Sequence, residues 1–227
     1  MDRDHAYITS IPPESEERVT DSYPDGARKE TEYWINSQRV GLRRFYPSGE
    51  LEDESAFRDG VRHGVQYRWD MPGKLLSAEP YEHGVPHGTA CQWADDGRLV
   101  GTYTLVHGTG IDLWWQERDG PDYLAEVHNM QNGWPHGFEW WLNEDQHSVH
   151  TERHWLHGKL HGIEREWNYQ GRLRRGCPRY WVNGERVTKR QYLRAAAQEP
   201  SLPRFRPEEN EPQRTFPPEI MPHLGPR

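Results

Sequence analysis

The chain has 227 residues, 33% of them hydrophobic and 28% charged, with a formal net charge of −8. Its 11 Trp, 11 Tyr and 21 Gly exclude a helical bundle or a sheet of aliphatic parallel strands, and suit many short strands joined by tight turns. The negative balance argues against nucleic acid or an anionic membrane as partner, because both would repel the chain. No apolar run approaches the ~18 residues of a membrane span. The opening MDRDHAYITSIPP has neither a basic region nor an apolar one, so no secretory signal is read there. Cys91 and Cys177 are too few for a disulfide framework and too far apart for a CxxC site, so the expected setting is the reducing cytoplasm.

In chain order, residues 1–32 come first as an N-terminal arm or cap. They lack periodicity and carry Pro12-Pro13 and Pro24-Asp25-Gly26, which leaves a leading β-cap and a flexible arm both open.

Residues 33–187 repeat. The strings GVRHG (60–64), GVPHG (84–88), GWPHG (133–137) and GKLHG (158–162) recur, with reduced copies ending at Gly41 and Gly110. The closing glycines, Gly41, Gly64, Gly88, Gly110, Gly137 and Gly162, are spaced by 23, 24, 22, 27 and 25 residues. Five residues after them stand Tyr46, Trp69, Trp93, Trp115, Leu142 and Trp167, and seven before them Trp34, Phe57, Tyr81, Tyr103, Met130 and Trp155. After each glycine, positions +1, +3 and +5 are mostly apolar and +2 and +4 mostly polar, the alternation of a strand with one covered face. Gly49, Gly73, Gly97, Gly120 and Gly171 then mark turns that need positive φ. Each unit of about 23 residues therefore reads as a β-hairpin, with GxxHG as the joining turn. The fold class expected is all-β: a single-layer antiparallel meander of about a dozen strands.

Thr188-Lys189-Arg190-Gln191 reads as a capping box that opens a short capping helix over 188–199, with Tyr192 and Leu193 packing over the last hairpin. Residues 200–227 hold eight prolines and are expected to be an extended or disordered tail.

The run Tyr81-Glu-His-Gly84-Val-Pro-His87-Gly88-Thr-Ala-Cys-Gln-Trp93 resembles the MORN repeat, in the looser form of YwqK-type, antitoxin-like bacterial proteins. The resemblance covers residues 33–187 and departs at Gly41, at Gly110 and at the turn Asn143-Glu144-Asp145-Gln146, where the usual Gly is missing. It implies a meander used for protein contacts, in some members an antitoxin or immunity role, and no catalytic residues.

The chain's own residues agree on chemistry. No GxSxG elbow, phosphate loop or HExxH occurs. His83/His87 and His157/His161 have zinc-like spacing, but they straddle turns and lack a third ligand; each turn His is expected to hold a backbone group of a neighbouring turn instead. Glu50, Glu52, Asp53 and Glu54 read as a solvated strand face; the basic clusters Arg43-Arg44, Arg172/Arg174/Arg175 and Lys189-Arg190 are short and local and read as solvating, with an acidic partner as the lesser alternative. No catalytic residue, cofactor or metal is expected. The candidates for partner binding are Trp114, Trp134, Trp140 and Trp141, an apolar excess around units four and five, of which Trp140 shares the parity of the packed Trp series and is the weakest member. Three functions remain: a protein-interaction module, antitoxin- or immunity-like or otherwise; a carbohydrate-binding aromatic surface; and a membrane-associated scaffold.

Overall fold

The structure, a computed structural model, describes residues 7–117 and 122–225. Gly120, one of the expected turn glycines, lies outside the described residues. The chain is all-β, with 18 strands and a single α-helix among the described residues, and it divides into two compact units, Met1–His107 and Gly108–Arg227.

The first unit runs through β1 (Glu16–Ser22), β2 (Arg28–Ile35), β3 (Gln38–Phe45), β4 (Leu51–Arg58), β5 (Val61–Arg62), β6 (Gly64–Trp69), β7 (Leu75–Glu82), β8 (Val85–Pro86), β9 (Gly88–Trp93) and β10 (Leu99–Val106). Each long strand pairs antiparallel with the next, and β5 and β8 are two-residue pieces on β4 and β7. The second unit repeats the scheme with β11 (Thr109–Gln116), β12 (Tyr123–Gln131), β13 (Trp134–Leu142), β14 (Val149–Leu156), β15 (Lys159–Leu160), β16 (Gly162–Glu166), β17 (Arg179–Val182) and β18 (Glu185–Val187).

Two kinds of turn alternate. At one end of each hairpin a two-residue turn has both φ angles positive, as at His83–Gly84 (50° and 87°), Asn132–Gly133 (52° and 80°) and His157–Gly158 (46° and 76°). That is the turn whose twist matches paired strands, and it favours Asn, Asp or His followed by Gly. At the other end the Gly49 N–H donates to the Tyr46 carbonyl and the Tyr46 N–H to the Glu50 carbonyl, both at 2.9 Å, with Gly49 at φ 94°. The same pattern recurs at Gly26, Gly73, Gly97 and Gly171.

These turns correct one expectation. GxxHG is not itself the turn: its first Gly closes the two-residue turn, and its final Gly lies at a bulge in the strand that follows. There Gly88 and Gly162 take φ 117° and 155°. The bulge splits some return strands in two, as with β8 and β9, which is one reason that strands outnumber the dozen expected. Across the hairpin sit the large residues placed seven before each repeat glycine: Tyr81 opposes Gly64, Met130 opposes Gly110 and Trp155 opposes Gly137.

Successive turns are bonded to one another. The Gly84 N–H donates to the Arg62 carbonyl, that of Gly133 to Gly108 and that of Gly158 to Pro135, each at 2.9 Å. The bulge histidines add a side-chain bond: His87 Nδ1 accepts from the His107 N–H and His161 Nδ1 from the Asn183 N–H, both at 3.0 Å. Where no His stands, Thr109 Oγ1 accepts from Asn132 at 3.0 Å. In the turn without Gly, Gln146 takes φ 58°, and its buried amide bonds both the N–H and the C=O of Leu124, as a neighbouring strand would.

The two termini cover one face of their own units. Residues 7–32 divide into a packed arm and a first hairpin, β1–β2, so the meander begins before residue 33. In the arm, Ile11 lies in a small core with Tyr33 and Ala56, while Tyr7 and Thr9 donate to the fully buried carboxylate of Glu54, which Arg43 also binds at 2.7 Å. Glu54 is therefore a buried carboxylate with half-buried Arg43 as its cation, and not part of a solvated face. The helix α1 (Lys189–Ala196) has the expected capping box at Thr188 and Gln191. Tyr192 is buried against Tyr180, whereas Leu193 points to solvent.

The Pro-rich tail is not detached. Leu202, Phe216 and Ile220 are buried, Phe216 meets the Trp140 ring edge-on at 5.7 Å, and Arg214 reaches Glu152 at 2.7 Å, where Arg165 also binds. Proline keeps this segment out of the strand ladder, yet its apolar residues still bury against the sheet.

Two outcomes test this architecture. Gly97→Ala, at φ 81° with open space around it, should cost about 1 kcal/mol; Gly108→Ala, whose Cβ would lie 2.2 Å from the Gly133 nitrogen, should cost about 3 kcal/mol or more in urea unfolding. Arg214→Ala should lower stability by about 3 kcal/mol and make residues 200–225 the first site of limited proteolysis.

Candidate functional site

The face of the second unit opposite the tail is built by register. Trp114 on β11 opposes Glu126 on β12, which opposes Trp141 on β13, which opposes Thr151 on β14, which opposes Glu166 on β16. Paired residues share a face, so these five form one row across the strands. A second row runs beside it through Asp112, His128, Glu139 and Arg153, with Glu164 and Arg179 beyond. No bond from the tail to either row occurs among the described residues.

The second row is closely bonded. Glu139 is 6% exposed and takes both the Trp141 and Trp155 indole N–H groups, at 3.1 and 2.8 Å, together with Arg153 at 3.1 Å. Glu164 takes the Trp181 N–H at 3.0 Å and Arg179 at 3.1 Å. His128 sits between two carboxylates, with Nε2 2.9 Å from Glu126 and Nδ1 3.7 Å from Glu139. Burial alone would lower its pKa, but the hydrogen bonds to Glu126 and Glu139, with the charge of Asp112, push it up to about 9. The Glu139 carboxyl is held below the usual range because His128, Arg153 and Trp155 outweigh its burial. Five carboxylates (Asp112, Glu126, Glu139, Glu164, Glu166) against three cations (His128, Arg153, Arg179) leave this face two negative charges.

Of the four candidate tryptophans, the structure brings two together. Trp114 and Trp141 flank Glu126 in one row. Trp140 is in the core on the other face, 7% exposed, with its N–H donated to Glu152 at 2.9 Å. Trp134 is 61% exposed, but it is the first residue of β13 rather than a turn residue, and its ring lies against Gly158 in the next turn. Sequence reasoning missed Glu126, His128, Glu139, Arg153 and Glu164. Glu139 and Glu164 each stand two residues after a closing repeat glycine, a positional signal that was available.

The histidine pairs part company. His83 faces His63 at 5.7 Å and His87 stacks on His107 at 4.2 Å, while His157 faces His136 and buried His161 meets Ser201. One group of possible metal ligands occurs among the described residues, Glu82, His87 and His107 in the first unit. There His87 Nδ1 spends its lone pair on the His107 N–H, so in the neutral ring Nε2 carries the proton, facing Glu82 at 3.6 Å. That nitrogen has no lone pair for a metal. A cavity of about 410 Å³ in the same unit, between the arm and the bulged edge, is lined by Arg39, Phe57, Arg58 and His63 among others. Arg39 is bound to Glu32 and stacked on Phe57. Burial pushes the Cys177 thiol up, away from a reactive thiolate. No helix of the described residues is long and apolar enough to cross a membrane.

No family model matches the chain, and no curated protein matches it.

The His128 site predicts a pH dependence. Its folded pKa lies above the unfolded value near 6.5, so the stabilisation is complete below about pH 6.5 and is lost as pH rises through 9. Unfolding free energy should fall by on the order of 2 kcal/mol across that window, and the difference between the wild type and His128→Gln should vanish above it.

Proposed function

We propose that this chain is a non-catalytic protein-binding module whose contact surface is the open face of the second unit. The observation that carries the proposal is the row Trp114–Glu126–Trp141–Thr151–Glu166, set on a face that the tail leaves uncovered while it covers the other. Aromatic rings on a rigid sheet lose little side-chain entropy on contact, and Trp and Arg dominate binding hot spots. The bonded carboxylates and indoles hold the rings in place before any partner arrives. An antitoxin or immunity role, which the repeat resemblance implies, would be one form of such a module.

The two other functions fit this face less well. Its ionic density suits a charged polypeptide more than a neutral sugar. Its negative charge would repel anionic headgroups.

The test is capture of a partner by immobilised full-length chain. Trp114→Ala and Thr151→Arg should keep the β circular-dichroism spectrum and weaken capture about tenfold or more. Trp134→Ala should leave capture unchanged. Full capture by both face variants would overturn the proposal.

A further inference from the structure

The bonding of the two rows differs in a way that selects a partner. In the second row, both oxygens of Glu139 and both oxygens of Glu164 are committed to indole N–H groups and arginines. In the first row, Glu126 binds His128 through Oε2 and Glu166 binds Arg179 through Oε1. The second oxygen of each accepts no hydrogen bond from any described residue. Two half-used carboxylates thus share one row, and in that row Glu126 stands between Trp114 and Trp141.

Their spacing sets a ruler. Glu126 and Glu166 are three strand intervals apart, about 14 Å at the usual spacing between strands. An extended peptide laid along the row presents same-side residues every second position, and positions i and i+4 lie about 13.6 Å apart. Guanidinium suits the site better than ammonium: its planar fork can bond a free carboxylate edge while stacking on indole. Building on the protein-binding reading above, we propose that this face takes an extended basic segment of the form Arg-x-x-x-Arg, one arginine entering between Trp114 and Trp141 onto Glu126 and the other bonding Glu166.

The experiment is fluorescence anisotropy of the full chain against labelled nine-residue peptides of alanine and serine. One carries arginines at positions 3 and 7, a second at 3 and 5, a third has lysines at 3 and 7, and a fourth has glutamates there. The first should bind at least tenfold tighter than the second and fourth and several-fold tighter than the third. Glu126→Gln and Glu166→Gln should each weaken it about three- to tenfold and erase the preference for spacing, with circular dichroism unchanged. Equal affinity for the two arginine spacings, no binding of any peptide, or no effect of either glutamine variant would overturn the inference. If peptide binding fails while Trp114→Ala and Thr151→Arg still abolish partner capture, the protein-binding reading stands and only the arginine segment is lost. If those two variants leave capture intact, both fall.

Discussion

A hairpin that reverses in two residues with both φ angles positive admits few sequences, and this constraint organises the chain. His, Asn or Asp followed by Gly supplies it in all but the Asn36–Ser37 turn, and the stacking of turns then removes further freedom. A Cβ on Gly108 would strike the backbone of Gly133, so glycine there serves close approach as well as φ. Because the N–H groups of Gly84, Gly133, Gly158 and Gly184 are spent on the preceding turn, a change in the length of one of those hairpins would misplace the next turn's donor. The near-constant repeat follows from that bond.

A single layer of strands has two faces and too little aliphatic area to bury both. In the second unit the tail covers one face and brings a cation for the carboxylate it encloses, so that Glu152 meets Arg165 and Arg214. In the first unit the arm brings Tyr7 and Thr9 to Glu54, which Arg43 neutralises. Burying either carboxylate without those partners would be strongly unfavourable. The opposite face of the second unit is handled by chemistry instead of cover: indole N–H groups and arginines satisfy carboxylates that are themselves only partly hydrated. Trp is the efficient residue for that task, since one side chain supplies both apolar area and a donor.

The repeat, the turns and the capping box were legible because each depends on residues close in sequence. The parity of the strands also separated Trp140 from Trp114 and Trp141, since Trp140 stands three residues after a closing glycine and the other two stand four after. Burial of Glu54 and Glu152 was not legible, because Thr9 and Arg214, which bind them from the covering segments, come from 45 and 62 residues away through stretches without periodicity. Residues 200–225 carry the proline content of a loose tail, yet Phe216 and Ile220 bury fully or nearly so. Composition reports what backbone a segment can form and says nothing of what its few apolar side chains will meet.

The same limit explains the candidate site. Tryptophans off the expected parity marked the face, but the sequence could not show that Glu126 would fall between two of them, since that depends on the bulge between Trp114 and Trp115 and on the bulge between His128 and Met130. Bulges shift every residue beyond them relative to the partner strand. A repeat protein that places bulges regularly can thus keep its turns in line while moving side chains along the row between them. Unlike a smooth alternating sheet, such a surface can bring ring, carboxylate and ring side by side, and the scaffold glycines need not change for the binding face to do so.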